Sequence, residues 1–190
     1  MTAVSTKFHP RRLSLAAFMA RPESTGRIEE LLGGALVVSP TARERHNRIG
    51  TELALQLAPQ VSARGLGRVY ASPLTIVLGD QDAPAPDLCV IVRERLHILK
   101  DGYPHGAPDL VVEVLSPSNR SNDTVRKKAI YALHGVREYW IVDGDAGTVT
   151  RYFLHRGRYG LGARRSRSIR LRILPQVTVD IAAIWRAVGG

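Results

Sequence analysis

The chain has 190 residues, enough for one sizeable core and short for two. Hydrophobic residues at 44% and charged residues at 23% exclude the disordered and collagenous classes. A formal charge of +10, from 27 Lys and Arg against 17 Asp and Glu, suits a polyanionic partner without identifying one, and the single cysteine, Cys89, excludes an intrachain disulfide and a Cys-based zinc cage.

Residues 1 to 12 are polar, basic and without period, and they end in His-Pro-Arg-Arg. They are expected to form a flexible basic arm ahead of a single domain over residues 13 to 190. Leu13 to Ala20 reads as a short helix, broken by Ser14 and followed at once by Arg21-Pro22-Glu23, which is unlike a signal peptide. No stretch reaches the roughly 18 uncharged apolar residues that span a bilayer. The expectation is a soluble, cytoplasmic protein with no membrane partner.

Arg27 to Ser39 reads as two short strands reversed at Gly33-Gly34, ended by Pro40. Thr41, with Glu44 three residues on, has the form of a capping box for a helix reaching about Leu57. His46, Ile49, Leu53 and Leu57 recur at helical spacing along it and share its inner side. Gly65 to Tyr70, Leu74 to Leu78 and Asp87 to Val92 are β-like runs, separated by Ser-Pro and by the Pro-rich acidic segment Gly79 to Pro86. A further apolar run, Leu110 to Leu115, stops at Ser116-Pro117-Ser118-Asn119.

Asn122 to His134 is helical in pattern, with Val125, Ala129 and Leu133 as its apolar stripe and Gly135 placed to end it. Glu138 to Val142 and Thr148 to Leu154 read as strands joined by a tight turn at Asp143-Gly144-Asp145. Gly157 to Gly162 reads as another reversal, and a strand and a short helix through Trp185 close the chain. A helix between two β runs at 110 to 142 is a βαβ unit, so the fold expected is α/β, a central mixed sheet flanked by helices.

Glu113 sits inside Leu110-Val111-Val112-Glu113-Val114-Leu115, where burying a carboxylate costs several kcal/mol unless a cation offsets it. A structural ion pair or a wet strand edge would also account for it. Asp87 opens a second apolar strand after Pro86, a position that plain turn chemistry also favours. Together, two carboxylates on neighbouring strands suit Mg²⁺ and the hydrolysis of a phosphodiester. Asp109 lies four residues before Glu113 on one strand, roughly 13 Å away, too far to share an ion with it. Asp123 and Lys127 are spaced i, i+4, which by itself makes a surface ion pair; Lys127, off the apolar stripe, faces either solvent or a cleft. Cys89, Tyr139 and Trp140 are expected in the core. Arg164, Arg165, Arg167, Arg170 and Arg172 suit either a phosphate backbone or an exposed edge strand.

These residues resemble the Uma-two family of restriction endonucleases, a branch of the PD-(D/E)XK nuclease superfamily. The resemblance runs through Glu30-Leu31-Leu32-Gly33-Gly34, Val37-Val38-Ser39-Pro40, His46, Pro86-Asp87 and Ala107-Pro108-Asp109-Leu110-Val111-Val112-Glu113-Val114-Leu115-Ser116-Pro117-Ser118. It continues through Asp123, Lys127, Tyr131, Gly135-Val136 and Glu138-Tyr139-Trp140-Ile141-Val142-Asp143, and covers about residues 13 to 185. It implies a restriction-endonuclease-like core, a Mg²⁺-dependent endonuclease acting on DNA with Mn²⁺ as a substitute, Asp87 and Glu113 as metal ligands, and Lys127 as the catalytic lysine. Where the superfamily motif has lysine two residues after Glu113, this chain has Leu115; Lys127 takes that role from the next helix, with Lys128 as the alternative. Glu30 and His46 match positions near the same centre, as a further metal ligand or hydrogen-bond partner. A homodimer would suit the cutting of both strands, and a non-catalytic nucleic-acid-binding or accessory protein on the same fold is the competing reading.

Overall fold

In the computed structural model the chain is described over residues 12–22, 25–71, 73–116, 120–165 and 167–189. The arm expected at residues 1 to 12 therefore lies, except for Arg12, outside the described residues, as do Pro117 to Asn119. A short helix α1 (Leu15–Met19), capped by Ser14, leads to the hairpin β1 (Arg27–Leu32) and β2 (Ala35–Pro40), which turns at Gly33 and Gly34 as the sequence predicts. Both glycines have positive φ, where a Cβ would be strained.

Helix α2 runs Glu44–Val61, and Ile49, Leu53, Leu57 and Val61 on its buried side sit four residues apart. Fully burying each leucine is worth about 1.5–3 kcal/mol. The capping box is not formed: Arg43 stands at the N-cap, without a side-chain bond, and the helix begins three residues after Thr41. The strands β3 (Gly67–Ala71), β4 (Leu88–Val92), β5 (Leu99–Lys100), β6 (Tyr103–Pro104) and β7 (Leu110–Val114) follow, with a 3-10 turn at Arg93–Ile98. Leu74 to Leu78 is not a strand; Val77 makes a single bridge to His105, and the Pro-rich segment after it folds back to bond Ile76 through Pro84 and Leu78 through Asp82.

A π-helical segment, Asn122–Lys127, passes into α3 (Lys128–His134), which ends at Gly135 in the left-handed conformation. The strands β8 (Glu138–Asp143), β9 (Thr148–His155) and β10 (Arg158–Arg165) are consecutive neighbours, and β11 (Ser168–Arg170), β12 (Thr178–Asp180) and α4 (Ile181–Val188) close the fold. Arg158 to Gly162 belongs to β10; the reversal is at Arg156 and Gly157, both with positive φ.

The central sheet has the order β10-β9-β8-β7-β4-β3, with β7 and β8 parallel and the other neighbours antiparallel. The parallel pair is the expected βαβ crossover. Because side chains alternate across a sheet, Leu88, Val90, Leu110, Val112, Val114, Trp140 and Val142 enter one core with α2 and α4. Cys89, Val111, Tyr139 and Ile141 enter a second core with Tyr131. Glu113 alternates with Val112 and Val114 and so belongs to the second face, under the π segment.

The helix over the second face is turned opposite to the sequence expectation. Val125 and Leu133 are 69% and 76% exposed, while Asp123, Lys127, Ile130 and Tyr131 are buried. The polar stripe Asp123, Lys127, Tyr131 has the same four-residue spacing as the apolar one, and the carboxylates waiting beneath it decide which stripe faces in.

Candidate active site

Five separate parts of the chain deliver the charged centre. Strand β1 carries Glu30, and its neighbour Leu31 exchanges two backbone bonds with Ala83, which docks the hairpin on the Pro-rich segment. Glu30 is then 3% exposed, accepting the Ala85 N–H at 2.8 Å. Two residues further on, at the entrance of β4, Asp87 Oδ2 accepts the Val114 N–H across the strand pair at 2.7 Å and lies 3.2 Å from His46 Nε2 at the start of α2. The β4–β7 register pairs Leu88 with Val112, and one step outward this sets Asp87 beside Glu113.

The π segment supplies the cation. Lys127 Nζ lies 2.9 Å from Glu30 Oε1, 3.2 Å from Glu113 Oε1 and 3.3 Å from Asp123 Oδ1. Tyr131 Oη donates to the same Glu113 oxygen at 2.8 Å. Glu30, His46, Asp87, Glu113, Asp123 and Lys127 all line one cavity of about 550 Å³, with the exposed Arg43 and Arg45 at its rim. All five residues singled out in the sequence (Glu30, His46, Asp87, Glu113 and Lys127) thus meet in one place. Lys128 does not: its Nζ sits 3.8 Å above the Tyr152 ring.

The Uma2 family model, described as "Putative restriction endonuclease", matches residues 15–182. The chain belongs to the Uma2 family. A crystal structure from Anabaena variabilis, described as a "putative nuclease belonging to DUF820", superimposes on this Uma2 chain with a TM-score of 0.77 at 20% identity, covering 93% of this chain and 99% of that one. It establishes the shared nuclease-like fold. No curated protein matches the sequence.

The electrostatics of this Uma2 centre follow from burial. Burial pushes the Glu113 carboxyl well above its ordinary range; Lys127 pulls it down, and Asp123, Asp87 and Glu30 push it further up. Burial likewise raises Asp123 to about 6, against the pull of Lys127. Burial disfavours the Lys127 ammonium, but Glu113, Glu30 and Asp123 more than offset it, so the ammonium persists far into the alkaline range. His46 is lowered by burial, and the hydrogen bond and charge of Asp87, the Val114 backbone and Asp123 lift it above 6.5 overall. Four carboxylates therefore share one lysine and one histidine, and the centre is short of positive charge.

That shortage bears on whether a divalent cation fits. Among the described residues no three His, Cys, Asp or Glu side chains converge as a ready-made metal cage. Mg²⁺ does not require one, since it keeps several waters and takes one or two carboxylates. Asp87 and Glu113 are hard oxygen donors opening on one cavity, and Asp123 Oδ1 is buried without a hydrogen-bond partner among the described residues, 3.3 Å from Lys127 Nζ. The donor set suits a hard cation.

Sequence reasoning undervalued two residues. By its spacing Asp123 read as half of a surface ion pair, and Tyr131 read only as lying off the apolar stripe and within the family resemblance. The signal was the Asp-x-x-x-Lys-x-x-x-Tyr spacing, a polar stripe that makes sense only if it covers buried charge. Asp109, set aside on distance, is fully buried at the far end of β7, bound by Arg95 at 3.0 Å, Arg137 at 2.8 Å and the Val92 N–H at 2.9 Å. It is structural. The basic stretch near the C-terminus begins on the edge strand β10, where Arg164 donates to Thr148 at 3.0 Å. A wider cavity of about 970 Å³ along α2 shares His46 and Asp87 with the centre but has no Lys or Arg among the described residues of its lining, so it does not compete as the charged site.

Proposed function

We propose that this Uma2 protein is a Mg²⁺-dependent endonuclease hydrolysing phosphodiester bonds of DNA, with Asp87 and Glu113 as the metal ligands. The observation that carries the reading is that Asp87, Glu113 and Lys127 open on one cavity although they come from three elements. Mg²⁺, with Mn²⁺ as a substitute, would supply Lewis-acid stabilisation of the phosphate and a more acidic water.

The chain's own groups do the rest. His46 holds Asp87 by one oxygen, leaving its 18%-exposed side chain open to the cleft. Lys127 is the charge that stabilises a phosphate oxygen or orients the attacking water, and Glu30 and Asp123 keep it protonated and pointed at Glu113. Arg43 and Arg45 at the rim favour the entry of a polyanion. A homodimer would bring two such centres to the two strands of a duplex.

One observation favours the competing reading of a non-catalytic nucleic-acid-binding or accessory protein. Lys127 is 4% exposed and ion-paired with three carboxylates of the chain, Glu30, Glu113 and Asp123, as in a structural cluster. Calorimetric titration with Mg²⁺ combined with plasmid nicking separates them. The endonuclease binds Mg²⁺ and nicks DNA; the accessory protein does neither.

A further inference from the structure

We propose that Tyr131 is a positioning residue that aims Glu113 at the divalent cation, an inference that rests on the metal-dependent reading above. Tyr131 is fully buried, and its hydroxyl and Lys127 Nζ both reach Glu113 Oε1, at 2.8 Å and 3.2 Å. Two donors on one oxygen stop the carboxyl from rotating about its last bond. Asp87 is fastened in the same manner, through Oδ2, by the Val114 N–H and His46. Each ligand carboxylate is thus held by one oxygen while its side chain faces the shared cavity.

Tyr131 differs from Lys127 in being unable to follow its partner. Its ring lies 5.2 Å from the buried Tyr139 ring at an interplanar angle of 52°. The Tyr139 hydroxyl donates at 2.8 Å to the backbone carbonyl of Asp123, inside the π segment. The hydroxyl on Glu113 is therefore preset by ring packing that also anchors the segment carrying Lys127. Lysine alone, with a flexible stem and three carboxylates to choose from, fixes no single rotamer of Glu113.

The test uses the full chain and Mn²⁺ as the probe. Tyr131→Phe keeps the ring and deletes the hydroxyl. Tyr159→Phe deletes a hydroxyl that donates to the Val136 carbonyl at 2.8 Å in the same ring cluster, with no bond to Glu113. Isothermal titration gives Kd for Mn²⁺, and thermal unfolding without metal, then with saturating Mn²⁺, shows that each variant is folded and how far the cation stabilises it. Partners that orient metal ligands typically contribute about tenfold or more in metal affinity. The expected result is a Kd weakened roughly tenfold in Tyr131→Phe, with a smaller Mn²⁺-induced rise in Tm, and wild-type values in Tyr159→Phe. Equal Kd in wild type and Tyr131→Phe overturns the positioning role and leaves the metal reading standing; equal weakening in both variants overturns it as a general packing effect. Absence of Mn²⁺ binding by the wild type overturns the metal reading and this inference with it.

Discussion

Lys127 Nζ stands 2.9 Å from Glu30 Oε1, joining the π segment before α3 to the first strand of the N-terminal hairpin over one buried charge. Removing the cation from such a cluster leaves uncompensated carboxylates, a loss on the order of 3–5 kcal/mol for a buried pair broken on one side. Lys127→Met is expected to cost about that much at pH 8 in urea unfolding, and less at pH 5, where Glu113 and Asp123 take up protons. Lys128→Met, which loses a cation–π contact with Tyr152, should cost about 0.5–1 kcal/mol at either pH.

Glu113→Gln tests the chemistry with little change in shape. The amide still accepts from Tyr131 and Lys127 but is a poor ligand for a hard cation. Mg²⁺-dependent plasmid nicking is expected to fall by at least about 100-fold, given that metal and electrostatic stabilisation supply several kcal/mol of such barriers. Activity within tenfold of wild type would remove Glu113 from the reaction.

The raised acid at Asp123 sets a pH dependence of known sign. Its carboxyl titrates at about 6 in the fold against an ordinary value of 3.8, so the protonated form favours folding. That contribution is greatest below pH 3.8 and is lost as pH rises toward 6. His46, raised above 6.5, likewise contributes stability below that value and loses it as pH rises through its folded pKa. Measured without metal, the stability of Asp123→Asn relative to wild type should therefore increase between pH 4 and pH 6, and that of His46→Gln should increase above pH 6.5. A flat difference curve for Asp123→Asn would show that its burial is not felt as charge.

The outward stripe of α3 can be checked by stability alone. Leu133→Gln, at a site 76% exposed, is expected to change unfolding free energy by no more than about 0.5 kcal/mol. Ile130→Ala, at a site 8% exposed, should cost at least about 2 kcal/mol. The reverse order would restore the orientation that the apolar residues alone suggest.

That helix shows why the sequence was legible in some places and not in others. The strands β4, β7 and β8 are short apolar runs bounded by Pro, Ser or Gly, and the βαβ crossover follows from their spacing. The hairpin follows from Gly33-Gly34. Of the candidate site, Glu113 stood out because a carboxylate within an apolar strand demands a partner, whereas Glu30, His46 and the role of Lys127 entered through the family resemblance. The face of the helix was not, because two stripes of equal period compete there and only the charge beneath it chooses. The capping box at Thr41 and the strand at Leu74 to Leu78 failed for a similar reason: local propensity gave way to the docking of neighbouring segments.

The packing of Tyr131, Tyr139, Tyr152 and Tyr159, with ring centroids 5.2–6.2 Å apart, gives the centre an optical readout of its own. Rings this close and held at fixed angles couple their electronic transitions, and Tyr131 also carries the hydroxyl bonded to Glu113. A change in charge at that carboxylate should therefore appear in the near-ultraviolet circular dichroism of the tyrosine band, without any label attached to the protein.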